Sequence, residues 1–107
     1  MTAVEEDFRD VLFDVAGPVA TLVLNRPGKL NAVTPRMTDA VRGYASRVNA
    51  DGGIKAVMLT GAGERAFCAG SDVSELDAYG TAWEFRDRPD YCDAVRSIRK
   101  PVIAAVN

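Results

Sequence analysis

Two apolar, β-branched runs, Val19-Ala20-Thr21-Leu22-Val23-Leu24 and Ile54-Lys55-Ala56-Val57-Met58-Leu59, flank an amphipathic segment of helical length, and that order constrains the fold more than any other feature. The segment opens with Thr34 as an N-cap and Pro35 at the first helical position, where a missing N–H costs little. Met37, Ala40, Val41, Tyr44, Ala45 and Val48 then share one face, so the spacing predicts a buried helix running to about Asn49. Asp51-Gly52-Gly53 is expected to end it by offering positive-φ positions. The nearly continuous apolar character of Ile54 to Leu59 predicts a strand buried on both faces. Strand, helix and strand in this order form a crossover, which places Leu22 and Val57 in parallel strands. Upstream, Val11 to Val15 and Val19 to Leu24 are separated by Ala16-Gly17-Pro18, the punctuation of an antiparallel hairpin. The class is α/β.

Beyond the crossover, Val73 to Tyr79 reads as a short helix ending near Gly80. Thr81 to Arg88 and Pro89 to Arg99 read as two further helical pieces, because Pro89 disrupts a continuous helix. Tyr91, Val95 and Ile98 mark the apolar stripe of the second piece. Arg96, Arg99 and Lys100 gather at its end, where positive charge complements the helix dipole. Pro101 opens another apolar strand, Val102 to Val106, read as buried and parallel like the one before it. With no repeat, low-complexity stretch or linker, the chain is read as one domain.

Composition excludes several function classes. The 107 residues carry 13 Lys plus Arg against 15 Asp plus Glu, with no basic stretch to follow a nucleic-acid backbone. No apolar run approaches the roughly 20 residues that span a bilayer, and the acidic N-terminus lacks signal-peptide order, so a cytoplasmic location is expected, without membrane or nucleic-acid partners. Cys68 and Cys92 form no Cys-x-x-Cys pair, which argues against a zinc site or a disulfide framework. Cys68 is read as a small core residue. The absence of histidine removes a Ser-His-Asp triad and most transition-metal sites, leaving carboxylates, tyrosine or lysine for acid–base work.

The stretch with chemical potential is Arg65-Ala66-Phe67-Cys68-Ala69-Gly70-Ser71-Asp72-Val73. Small residues at Ala69, Gly70 and Ser71 permit close approach to the main chain, and Gly70 tolerates a positive φ. Asp72 is placed to cap a helix through Ser74, Glu75 and Leu76, leaving N–H groups near Ser71 to Val73 for an oxyanion or a phosphate. The loop Asn25 to Ala32 turns at Pro27-Gly28, with Asn25 and Asn31 available to bond the local backbone. Taken locally, Arg26 and Lys29 are solvated charges.

Leu24-Asn25-Arg26-Pro27 with Leu30-Asn31-Ala32, then Leu59-Thr60-Gly61, then Ala66-Phe67-Cys68-Ala69-Gly70-Ser71-Asp72, and finally Lys100-Pro101-Val102-Ile103-Ala104-Ala105-Val106-Asn107 resemble four successive signatures of the crotonase superfamily. The resemblance is strongest to the enoyl-CoA hydratase/isomerase group. It implies a crotonase-like (ββα-type spiral) fold, of which residues 1–107 represent the N-terminal part: the hairpin, the crossover helices and the parallel strands. It further implies that an acyl-CoA thioester is polarised by two backbone N–H groups that stabilise an enolate, the first donor being the N–H of Ser71. By the same likeness Ala69, Gly70, Ser71, Asp72 and Val73 line the thioester path, and Arg26, Gly28, Lys29 and Leu30 meet the nucleotide end of CoA. Coenzyme A enters only as part of the substrate; no permanently bound cofactor and no metal are implied. A homotrimer or hexamer is implied for the complete fold.

In relatives, the position of Asn107 is followed by a glycine-rich turn with the second oxyanion donor and by the acid–base carboxylates. Both are expected to lie outside this stretch. Glu64, Glu75, Asp77 and Glu84 match no such pair and are read as surface residues, with Glu75 or Asp77 nearest the pocket mouth. Trp83, Phe85 and Tyr91 are candidates for an acyl tunnel, although packing aromatics are common. Two functions follow: hydration of a 2-enoyl-CoA or a related thioester-enolate reaction in acyl-CoA metabolism, or a non-catalytic acyl-CoA-binding or interaction module, the fragment of a broken or split crotonase.

Overall fold

The computed structural model describes residues 8–88 and 90–107, the side chains of Leu76 and Ala78 excepted. Four strands form one sheet in the order β1 (Val11–Ala16), β2 (Val19–Leu24), β3 (Ala56–Gly61) and β4 (Val102–Ala105). β1 and β2 pair antiparallel, whereas β2, β3 and β4 run parallel, with Leu22 opposite Leu59 and Leu59 opposite Ala104. The hairpin turns on Gly17, whose φ of 58° is the positive value a primed two-residue turn demands.

Between β2 and β3 runs α1 (Pro35–Ala50), ending one residue beyond the sequence reading. The Thr34 side chain accepts from the Met37 N–H at 3.2 Å. Met37, Ala40, Val41, Ala45 and Val48 are buried against Val11, Ala20, Leu22 and Val57. At the edge of this core Phe13 and Tyr44 stack with ring centroids 4.5 Å apart, and the Arg47 guanidinium lies 4.9 Å over Phe13. The exit from α1 differs from the expectation, for neither Gly52 nor Gly53 has a positive φ. Instead Asp51 turns into an extended conformation and its carboxylate accepts from the Gly53 N–H at 2.8 Å, so an aspartate turn does the work assigned to glycine.

The three helical pieces expected after β3 are present, each shorter than the sequence reading. Val73–Ala78 forms a 3₁₀ helix, α2 covers Ala82–Arg86, and α3 covers Tyr91–Arg96. Thr81 and Asp90 cap the last two by accepting from Glu84 and Cys92. Pro89, read as the break between them, lies outside the described residues. The expected stripe of Tyr91, Val95 and Ile98 faces the core, Ile98 buried and the other two half-buried against it, and Ala94, which the sequence reading did not include, is buried with them. Lys100 lies beyond α3 and does not serve its dipole; its ammonium donates to the carbonyls of Asp51 and Ile54, clamping the chain leaving α1.

The prediction that β3 and β4 are buried on both faces is overturned, although both are parallel as expected. Val57 and Gly61 are buried, but Met58 is 38% exposed and Ile103 on β4 is 57% exposed. The helices cover one face of the sheet, and the apolar side chains of the other face meet solvent. A continuous apolar run is the mark of a strand with two covered faces, but among the described residues only one cover is present.

Candidate functional site

The loop after β2 and the loop after β3 are tied together by Asn31, which is fully buried. Its side-chain oxygen accepts from the Arg26 N–H at 2.9 Å, and its amide donates to the carbonyls of Ala62 (3.0 Å) and Ala66 (2.9 Å). Leu30 and Asn31 both take left-handed backbone conformations, with φ of 54° and 58°. Asparagine adopts that region more readily than other side chains, which suits position 31. Gly61 lies against this knot: a Cβ there would collide with the carbonyls of Phe67 and Ala66 and with the Asn31 amide. The bond from Arg26 is the local one the sequence suggested; the two to Ala62 and Ala66 cross the fold, at a separation that local turn rules do not reach.

On this frame the chain segments at Val33 and Ser71 form a parallel bridge. The Val33 N–H donates to the Gly70 carbonyl at 2.8 Å and the Asp72 N–H donates to the Val33 carbonyl at 2.9 Å. In such a ladder the bonding groups alternate along the strand, so the N–H and carbonyl of Ser71 point away from Val33. Among the described residues the Ser71 N–H has no hydrogen-bond partner. Gly70, with φ of 102°, makes the bend that carries the chain into this position.

Asp72 locks the other side. Its carboxylate accepts from the N–H (2.9 Å) and hydroxyl (2.7 Å) of Ser74, and its second oxygen meets the Arg26 guanidinium at 2.9 Å. These bonds, from Ser74 first and Arg26 next, outweigh partial burial and hold its pKa at about 2, below the ordinary 3.8. Asp72 caps the following 3₁₀ helix as the sequence predicted. Arg26 has a different position from the outward-facing charge that the sequence suggested, for it turns inward to Asp72 and donates to the Ala32 carbonyl at 2.8 Å. Gly28, Lys29 and Leu30 are exposed on the 3₁₀ turn Pro27–Lys29 and its exit.

Beside Ser71 lies a pocket whose wall includes Val33, Thr38, Glu75, Phe85, Arg88 and Tyr91. Burial is the main influence raising the Tyr91 pKa, while a hydrogen bond with the Ser71 side chain opposes it. The pocket brings in Phe85 and Tyr91 from the three aromatic candidates; Trp83 is 64% exposed and lies against Arg86. Ser71 and Asp72 line the same space, whereas Ala69 and Val73 are exposed and outside its wall. Glu75 lines it, while Glu64, Asp77 and Glu84 are exposed. Arg88, absent from the sequence candidates, reaches Ser71. Cys68 is half-buried against the core and Cys92 is exposed, both as free thiols. Among the described residues no cluster of three metal-ligating side chains occurs, and no helix is long and apolar enough to cross a membrane.

This α/β arrangement is that of solved crotonase folds. A putative enoyl-CoA hydratase from Streptomyces coelicolor superposes with a TM-score of 0.79 at 31% identity, over 99% of this chain and 41% of that one. The family model described as Enoyl-CoA hydratase/isomerase matches residues 19–107, and the chain belongs to that family. A probable enoyl-CoA hydratase of Mycobacterium tuberculosis is 43% identical over 100 residues, which is 91% of this chain and 39% of the relative. A mitochondrial 3-hydroxyisobutyryl-CoA hydrolase of Danio rerio is 32% identical, over 92% of this chain and 27% of the relative. The chain thus spans between about a quarter and two-fifths of the length of these relatives.

Proposed function

We propose that this chain supplies the acyl-CoA-binding wall and the first oxyanion donor of an enoyl-CoA hydratase/isomerase-type protein. The observation that carries the reading is the Ser71 N–H, held away from its bridge to Val33 without a partner beside a pocket of mixed polarity. A thioester carbonyl oxygen is the acceptor it suits. As the α-carbon gains carbanion character, negative charge moves to that oxygen, and a preorganised donor there lowers the barrier by about 3 kcal/mol. A donor on the main chain is independent of its side chain, so serine serves at this position. Asp72 and Arg26 neutralise one another and hold the loop, which prevents a bare carboxylate from opposing the enolate. Gly28, Lys29 and Leu30 are assigned to the CoA end, with Lys29 as the phosphate-facing charge; Arg26 holds the loop from within.

Relatives with hydratase and hydrolase names support the thioester class and leave the reaction within that class open. The proposed task of these residues is binding and polarisation; no acid–base pair is assigned to them. The test is titration of the chain with crotonyl-CoA, reading heat of binding, the thioester carbonyl stretch and the absorbance of the conjugated thioester. Binding with a lowered carbonyl frequency and unchanged absorbance is the expected result. Binding without a frequency shift removes the oxyanion role, absence of binding removes the acyl-CoA role, and hydration requires an acid–base pair among the carboxylates present.

A further inference from the structure

The bridge to Val33 holds the chain around Ser71 at two atoms, the Gly70 carbonyl and the Asp72 N–H. A segment pinned at two points can rock about the line that joins them. The Ser71 N–H lies off that line, so the bridge decides which way the donor faces without fixing its angle. Gly70, with φ of 102° and no side chain, offers little resistance to such rocking. The Ser71 side chain supplies a third point. Its hydroxyl shares a hydrogen bond with the Tyr91 phenol, and a terminal guanidinium nitrogen of Arg88 reaches it at 3.4 Å. Both partners are themselves held. Tyr91 opens α3 and is half-buried against the core, its hydroxyl 3.9 Å from the place a Cβ on Gly70 would occupy. Arg88 donates to the Phe85 carbonyl at 2.7 Å, and its guanidinium carbon lies 3.9 Å over the Phe85 ring. The space left in the pocket is about 20 Å³, room for about one water molecule, so these side chains brace one another across it.

We propose that the Ser71 hydroxyl is a tether that sets the angle of the Ser71 N–H, with Tyr91 as the positioning residue that holds it and Arg88 supporting it from the other side. The inference rests on the oxyanion reading of that N–H. The chemistry of a main-chain donor is independent of its side chain, but its aim is not. A hydrogen bond weakens steeply as it bends, and a donor lowers the barrier to the extent that it already points at the oxygen when charge arrives there. Alanine at this position would present the same N–H without the tether, leaving its angle to the two bridge bonds alone.

The thioester carbonyl stretch of crotonyl-CoA, recorded with the ligand saturating, reads the aim of the donor and is independent of affinity. The native chain is compared with Ser71→Ala, Tyr91→Phe and the double variant. The expected result is that each single variant loses about half or more of the native frequency shift and the double variant loses no more than either, because both substitutions cut the same tether. A native-sized shift in Ser71→Ala overturns the inference and leaves the oxyanion reading intact, whether or not Tyr91→Phe folds. Losses that add in the double variant also overturn it, since the two hydroxyls then act separately. Absence of binding, or binding without a shift, in the native chain removes the oxyanion reading and this inference with it.

Discussion

Asn31 concentrates more of the site's geometry than any other side chain. Replacing it by alanine leaves the Arg26 N–H and the carbonyls of Ala62 and Ala66 without these partners, and puts a residue ill-suited to φ of 58° at that position. The expected cost is about 3 kcal/mol or more, read as a lower urea midpoint at constant slope. Asp72 gives the pH dependence its sign. Its carboxylate is stabilised in the folded chain, so the contribution is fully present above the ordinary pKa of 3.8 and is lost as pH falls from there through about 2. Removing the guanidinium with Arg26→Gln should raise the Asp72 pKa, observable by carbon-detected NMR titration, while the Ser74 contacts keep it below the ordinary value. Both effects were hidden in the sequence: Arg26 is 46 residues from Asp72, and nothing local distinguishes an inward arginine from a solvated one.

Among the elements, α1 was legible almost to its last residue because its start signal, periodic face and length agree. Thr34→Ala removes the cap to Met37 and should cost about 1 kcal/mol, measured as a shift of the thermal or urea transition. The short helices after β3 were less legible. They lack the length over which a 3.6-residue period becomes distinct, and their ends follow caps at Thr81 and Asp90 rather than a long apolar face. Lys100 shows the same limit from another direction. Its position after a helical pattern suggested a dipole partner, but packing brings it to the carbonyls where α1 ends.

At the scale of the whole molecule, the described residues cover one face of the sheet. Met58 and Ile103 on its second face, with β4 as an edge strand, form a surface prone to association at high concentration. Ile103→Lys should reduce concentration-dependent association in sedimentation velocity while changing stability by less than about 1 kcal/mol, since the side chain is 57% exposed. A large loss of stability would mean that this face is covered by the chain itself.

The apolar, β-branched runs, the turn at Gly17 and the Thr34-Pro35 start were enough to specify the hairpin and the helix, because each rests on dihedral preferences or periodicity spanning a few residues, and the order strand, helix, strand specified the parallel crossover. The motif from Ala66 to Asp72 marked the segment that contains the candidate donor. Pairings across the fold decided the rest. The bridge to Val33 turns the Ser71 N–H outward, Asp72 draws Arg26 inward, and the break between α2 and α3 brings Arg88 beside Ser71. Each joins residues far apart in the chain, and their meeting depends on how the sheet and its crossover loops pack in space.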